Sequence, residues 1–358
     1  MKILFWVPYP TFGASNRYRV EQYLPYLETV GIGYSVHPFW TKRAYGILYE
    51  KGHYLRKVVA FLYGTILRLL DILLINRYDA IFIHREAYPI GGAVFETILS
   101  ILRKRIIFDF DDAIFLHTSS DANNFVDKLK RPEKIKTILR KSKHVITGNR
   151  YLSEFALNYN NSVAIVPTSV DTNKFYPHRI NKNNEIVIGW MGSSTTVNFL
   201  DDTKDVFILL LKQFVNLRLK IIGGKFSLGA YKGVINKRWC LDEEIADLKS
   251  FDIGIMPILD NDWSKGKCGF KAILCMSMGI PCVCSDIGAN RDIIIDGVNG
   301  FLAKTKEEWV NKLSFLITNP KIRYNMGLAG RMTVEEKYSV KVNAPIILQI
   351  IKSVCNII

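Results

Sequence analysis

No cysteine occurs before residue 240, and none of the six that follow (Cys240, Cys268, Cys275, Cys282, Cys284 and Cys355) forms a C-x-x-C pair. That pattern excludes a disulfide framework and a zinc site and fits reduced thiols in a reducing cytoplasm. Acidic residues are the minority charge: 33 Asp and Glu stand against 48 Lys and Arg, a formal net charge of +15. A polyanion or an anionic surface is therefore a natural partner. Nucleic acid is not expected, because the chain has no stacking-aromatic basic module of the RRM or OB kind. Internal repeats and low-complexity tracts are lacking as well, which excludes repeat architectures. Long apolar runs are scarce. The most apolar stretch, VVAFLYGTILRLLDILLI at 58–75, is interrupted by Arg68 and Asp71. Its uncharged run, Val58–Leu67, is shorter than the ~20 residues that cross a bilayer. It predicts a long helix, read first as buried in packing and second as lying on a membrane surface. The opening MKILFWVPYP has one charge and a short apolar run before a proline loop, the pattern of a first buried strand rather than of a signal peptide.

What is present is an alternation. Apolar runs at 2–7, 32–39, 79–84, 105–110, 144–148 and 162–167 read as strands, separated by helix-length segments and by no hairpin turns. Such alternation predicts a parallel sheet covered on both faces. The Pro-, Asn-, Ser- and Thr-rich stretch at 168–184 breaks it and is the expected linker. A second series follows, with strands at 185–191, 219–224, 252–257 and 281–286 and closing helices from about Glu307, Lys321 and Val340. The expected class is α/β with two Rossmann-like doubly wound domains: residues 1–167, the linker, residues 185–338, and a closing segment 339–358 that packs back on the first domain. Ligands of such sheets bind beyond the carboxyl ends of strands, so the two domains are expected to face across a cleft that holds a shared site.

Polar residues gather at those strand ends. After the first strand, Gly13 and Ser15 are small enough to let backbone N–H groups approach a phosphate, and Arg17 and Arg19 add charge at a helix start. A plain strand–helix turn with solvated arginines fits equally well. The spacing is not G-x-G-x-x-G, which disfavours a nicotinamide dehydrogenase. His84, Arg85 and Glu86 come directly after the third strand. In IIFDFDDAIF, Asp109 and Asp111 share one face of a strand and Asp112 follows its end. Clustered carboxylates persist only with a counter-charge, a metal or a task. These suit a divalent cation that clamps a diphosphate, the hydroxyls of a sugar, or one buried structural aspartate followed by a helix N-cap. The segment 127–144 is basic, with a net of +6 over residues 124–143 (eight basic, two acidic). It reads as the solvated face of a helix or as a contact with anionic lipid. In the second half, Gly192, Ser193, Ser194 and Thr195 precede a helix, where hydroxyls and free N–H groups suit phosphate as well as N-capping. Lys267 and Lys271 flank Gly269 near another helix start, in a stretch with no carboxylate from Lys265 to Cys284.

The segment GFKAILCMSMGIPCVCSDIGANRDIIIDGVNGFL, residues 269–302, resembles the donor-binding segment of family 4 glycosyltransferases, the group 1 glycosyl transferases of the GT-B fold. The shared features are Gly269, Gly279, Pro281, Ser285, Gly288, Asp292 and the turn DGVNGFL. PTSVDTNKF resembles the family's domain crossover, and the first half resembles a bacterial surface-polysaccharide branch through GASNRYR and FDFDDAIF. The resemblance implies a GT-B enzyme that retains anomeric configuration without an obligatory metal or other cofactor. It also implies a nucleotide-sugar donor bound at Gly192–Thr195, Gly269, Asn290 and Asp292. A glycan or polyprenyl-linked acceptor is expected at Gly13, Ser15, Arg17, Arg19, His84, Arg85 and Glu86, with an anionic membrane surface beneath at the cytoplasmic face. Two family glutamates are missing, replaced by Gly266 and Leu274. Lys267 and Lys271 are expected to grip the donor diphosphate, with Asp111 and Asp112 completing the catalytic set. The alternatives are a metal-dependent transferase using Asp109 and Asp111, or a relative that binds nucleotide or glycan without turnover.

Overall fold

Two parallel sheets of six strands each are built from this alternation in the computed structural model, which describes residues 1–50, 52–117, 129–177 and 185–356. The start of the basic segment (127–128) and the end of the linker (178–184) lie outside the described residues.

Met1–Thr168, together with the chain from Asn343, makes the first unit. Its strands are β1 (Lys2–Val7), β2 (Gly33–Pro38), β3 (Ala80–His84), β4 (Arg105–Phe110), β5 (His144–Thr147) and β6 (Val163–Ile165). Between them run α1 (Ala14–Arg19), α2 (Leu24–Thr29), α3 (Lys42–Leu48), α4 (Tyr54–Leu73), α5 (Val94–Ile101), α6 (Lys134–Lys141) and α7 (Arg150–Leu157). The order β2-β1-β3-β4-β5-β6 is parallel throughout and reverses direction between β1 and β3. Trp6, Phe82, Phe108 and Phe110 fill the core, as expected of strands buried on both faces.

Ser169–Val342 makes the second unit. It contains β7 (Ile186–Met191), β8 (Leu217–Ile222), β9 (Val234–Lys237), β10 (Ile253–Met256), β11 (Cys282–Ser285) and β12 (Phe301–Ala303). The helices are α8 (Lys204–Gln213), α9 (Glu244–Lys249), α10 (Asp262–Lys265), α11 (Phe270–Ser277), α12 (Asn290–Ile293), α13 (Lys306–Thr318) and α14 (Pro320–Thr333); α15 (Val340–Val354) closes the chain and, from Asn343 on, belongs to the first unit. Here the order is β12-β11-β10-β7-β8-β9, and the reversal falls between β7 and β10. Trp190, Phe207, Ile221 and Leu313 are among its core residues. Thr305 caps α13: its Oγ1 accepts from Glu308 N at 3.2 Å, and Glu308 Oε2 reaches back to accept from Lys304 N, one residue before the cap, at 2.6 Å. The six cysteines are free thiols, with only Cys240 exposed.

The helix predicted over the apolar stretch exists, but its expected burial does not hold. Its inward face carries the polar residues. Arg68, fully buried, donates to Ala87 O (3.1 Å), His37 O (2.9 Å) and Val7 O (3.2 Å) and pairs with Asp71. Asp71 in turn accepts from Trp6 Nε1 at 2.8 Å and hydrogen-bonds His37 Nδ1 at 2.7 Å. Burial pulls the Arg68 guanidinium down to about 10 against the attraction of Asp71. The helix is therefore fastened to the sheet by a buried polar network, while most of its leucines face outward. Arg68→Met should lower the free energy of unfolding by roughly 3–5 kcal/mol, because it strands Asp71 and three carbonyls. Urea denaturation followed by far-UV circular dichroism would measure that loss.

Candidate functional site

In the second unit the loops after β7 and β10 bring together residues about 80 apart in sequence. Met191 ends β7, and Gly192 follows it. A Cβ added at Gly192 would lie 2.4 Å from Cη2 of Trp190 and 2.8 Å from Cε of Lys271, so glycine is what lets that lysine stem pass over the strand end. The Lys271 ammonium sits 5.4 Å from the centre of the Trp190 ring, and the Lys267 ammonium 4.7 Å from that of Trp263. Each lysine thus rests on an aromatic face, whose quadrupole attracts a cation. Both lysines are half-buried. The two tryptophans are what the sequence reasoning missed; Trp190 inside an otherwise aliphatic strand was the signal that could have shown one of them.

Gly269 caps α11 in the left-handed region, φ +64°. A Cβ there would stand 2.1 Å from Ile293 Cδ1 and 3.4 Å from Asn290 Oδ1. Asn290 is buried and donates to Ser285 O at 2.9 Å, while its Oδ1 has no hydrogen-bond partner. Asp292, also named as a donor residue, is exposed on the same short helix. The expected α-helix after Gly192–Thr196 begins instead as a 3₁₀ turn, Val197–Thr203. Ser193 Oγ shares hydrogen bonds with Thr195 Oγ1 (2.8 Å) and Thr196 Oγ1 (3.3 Å), and such local bonding competes with a regular helix start. Ser193, Ser194 and Thr195 are exposed. A cavity of about 640 Å3 opens at the ends of β10, β11 and β12, lined by Pro257, Asp260, Ser285, Asp286, Arg291 and Lys304 among others. None of the donor residues named from the sequence lines it.

In the first unit a charge network crosses the ends of β3 and β4, where His84 is register partner of Asp109. Asp109, 1% exposed, takes the Arg19 guanidinium on both oxygens and is hydrogen-bonded to His84 Nδ1 at 2.7 Å. Burial opposes ionisation of Asp109, but Arg19 and His84 outweigh it and hold the carboxyl below its usual range. Arg19 is 2% exposed and also donates to Val166 O at 2.6 Å, and His84 is fully buried, its Nε2 without a hydrogen bond but 4.0 Å from Asp111 Oδ1. Arg19 and His84, both expected at the acceptor site, are thus buried side chains. They support the site from beneath, because a buried carboxylate needs their charge and hydrogen bonds. Arg85, at φ +63°, donates to Asp111 Oδ1 at 2.7 Å and to Asp112 Oδ2 at 2.6 Å. Asp111 is held well below the usual carboxylate range: burial raises it, and the Arg85 charge more than offsets that. Glu86 leaves this cluster and pairs with Lys134 at 2.7 Å. Arg17 stays half-buried beside the Tyr18 ring, and Gly13 packs against Tyr9, where a Cβ would approach to 2.5 Å. Ser15 Oγ is buried without a hydrogen-bond partner. Among the described residues no three His, Cys, Asp or Glu side chains are grouped to hold a metal ion, and Asp109 has both oxygens committed.

Residues 185–319 match the family described as Glycosyl transferases group 1. No curated protein matches the chain. Among solved structures, it is similar to a glycosyltransferase from Rickettsia africae at 14% identity and TM-score 0.72, covering 99% of this chain and 98% of that one. Sucrose-phosphate synthase from Thermosynechococcus elongatus gives 15% and 0.70, covering 99% and 98%. HepE of Anabaena, crystallised with UDP and glucose, gives 13% and 0.69, covering 99% and 100%. These likenesses fix the fold as the GT-B arrangement of two Rossmann-like units.

Asp109→Asn should destabilise the protein by about 3–5 kcal/mol, since it leaves the Arg19 charge buried without its partner. The depressed carboxyls of Asp109 and Asp111 contribute stability that is fully present above about pH 4, the unfolded-state value, and is lost as pH falls through their lower folded values. Chemical denaturation of the wild type and the variant from pH 7 to pH 2 should show the difference between them shrinking at the acid end.

Proposed function

We propose, for a chain that is a glycosyltransferase with a group 1 glycosyl transferase domain over residues 185–319, that it moves a sugar from a nucleotide-sugar to a glycan or lipid-linked acceptor in bacterial surface-polysaccharide synthesis. The work is done at the cytoplasmic face of a membrane, with retention of anomeric configuration and without an obligatory metal. The observation that carries this reading is the seat of Lys271 over Gly192 and Trp190, at the switch point of the sheet that bears the group 1 match. A nucleoside diphosphate gains negative charge as it leaves the sugar, and cations fixed in place stabilise that charge more than they stabilise the bound donor. Lys267 and Lys271 supply the cations, and the α11 start at Gly269 lies between them in sequence. The UDP held by HepE supports a uridine nucleotide as the first donor to test.

The first unit takes the acceptor. Arg85, tied to Asp111 and Asp112, forms a rigid polar edge of a chemistry that suits sugar hydroxyls. The second reading, a non-catalytic relative, is favoured by one observation: Leu274 and Gly266, which stand where the family has glutamates, are both buried.

Release of nucleoside diphosphate from a panel of nucleotide-sugars, with and without bacterial lipid extract, separates these readings. Lipid-stimulated release from one donor, reduced by a factor of roughly a hundred or more in Lys267→Ala/Lys271→Ala, is the expected result. Release unchanged in that variant would remove the role given to the lysines. Donor binding with no release across the panel would establish the non-catalytic reading.

A further inference from the structure

The amphipathicity of α4 is inverted. Leu55, Val59, Leu62, Ile66, Leu69 and Leu73 follow one another at spacings of four and three, which places them on one helical face. All six are more than half exposed: 77, 58, 54, 55, 51 and 77% in that order. The charged residues Arg68 and Asp71 point the other way and are buried. A helix of 20 residues is about 30 Å long, so the stripe is one continuous apolar face of the kind that marks an interaction site. Ile101, the last residue of α5, is also exposed, at 73%. No helix of the described residues is long and apolar enough to cross a membrane, so this face lies against its partner rather than through it.

We propose that the outward face of α4 seats in the headgroup–acyl boundary of an anionic lipid bilayer. This rests on the membrane partner given in the proposed function and names the surface that meets it. Charge selects lipid over a second copy of the chain. Lys42 and Arg43 on α3, which packs on α4, are exposed, as are Arg56 on its first turn, Arg77 just past its end and Arg103 after α5. The acidic groups nearby are disposed differently: Asp71 and Glu96 are buried, Glu50 lies 3.5 Å from His53, and the exposed Asp79 accepts from Lys2 N at 2.7 Å, which leaves the cations in excess. An apolar stripe rimmed by cations matches anionic headgroups over acyl chains, whereas two copies of the same rim would repel. The polar anchor formed by Arg68 and Asp71 has a clear use here, because it fastens to the sheet a helix whose apolar side is committed outward.

Sedimentation with phosphatidylcholine vesicles, with and without phosphatidylglycerol, tests the proposal, comparing wild type with Leu62→Glu/Ile66→Glu. Wild type should pellet with the phosphatidylglycerol vesicles, and the variant should bind roughly tenfold or more weakly with an unchanged melting temperature. A second variant, Ile66→Trp, should gain emission that shifts to the blue on vesicles and is quenched by acyl-brominated lipid. Equal vesicle binding by the glutamate variant, or an Ile66→Trp emission that stays insensitive to the brominated chains, would overturn the assignment. So would wild type that remains in the supernatant at every phosphatidylglycerol fraction, including the case of a dimer that the glutamate variant splits. These readouts need neither donor nor acceptor, so a failed transferase reading leaves them untouched.

Discussion

A parallel sheet covered on both faces leaves polar chemistry only one place to go, the ends of its strands. The central strands β1, β3, β7, β10 and β11 are accordingly apolar or nearly so, and the candidate polar clusters gather where strands stop. Because each sheet also reverses its winding order once, one gap per unit lies between loops that diverge to opposite sides. In the second unit that gap is bounded by Gly192 and by the loop that leads from β10 to α11. In the first it lies between β1 and β3, with the carboxylates after β4 next to it. The candidate chemistry of the molecule follows from these two reversals.

The two gaps are furnished in opposite ways. Around the first, charge is balanced internally: Arg19 with Asp109, and Arg85 with Asp111 and Asp112. Low dielectric makes each of these pairs depend on its geometry, so the result is rigidity. Around the second, Lys267 and Lys271 lie over tryptophan faces, 4.7 Å and 5.4 Å from the ring centres, so aromatic rings take part in placing these two cations.

The sheet strands were largely legible from apolar runs, β1 and β4 with their exact bounds, because periodicity and turn residues speak directly for buried parallel strands. The strands β9 and β12 were not. VINK and FLA are short edge segments with little burial and no clear alternation, so nothing in their composition sets them apart from loop. Burial of the apolar stretch at 58–75 was misread for a different reason. Hydropathy reports how apolar a helix is, but not which face meets the sheet, and here Arg68 and Asp71 decided the orientation. Likewise the spacing of Asp109, Asp111 and Asp112 marked a cluster, while the partners that satisfy it lie far off in sequence. Arg19 is 90 residues from Asp109, and that pairing is visible only once the fold exists.

The central claim is that Lys271, seated over Gly192 and Trp190, meets the diphosphate of a nucleotide-sugar. Equilibrium titration of UDP and of UMP into wild type and Lys271→Ala tests it most directly, because the two ligands differ by one phosphate. The account predicts that wild type prefers UDP by about tenfold or more and that this preference falls toward unity in the variant. A UDP-to-UMP ratio that is the same in both proteins would contradict it.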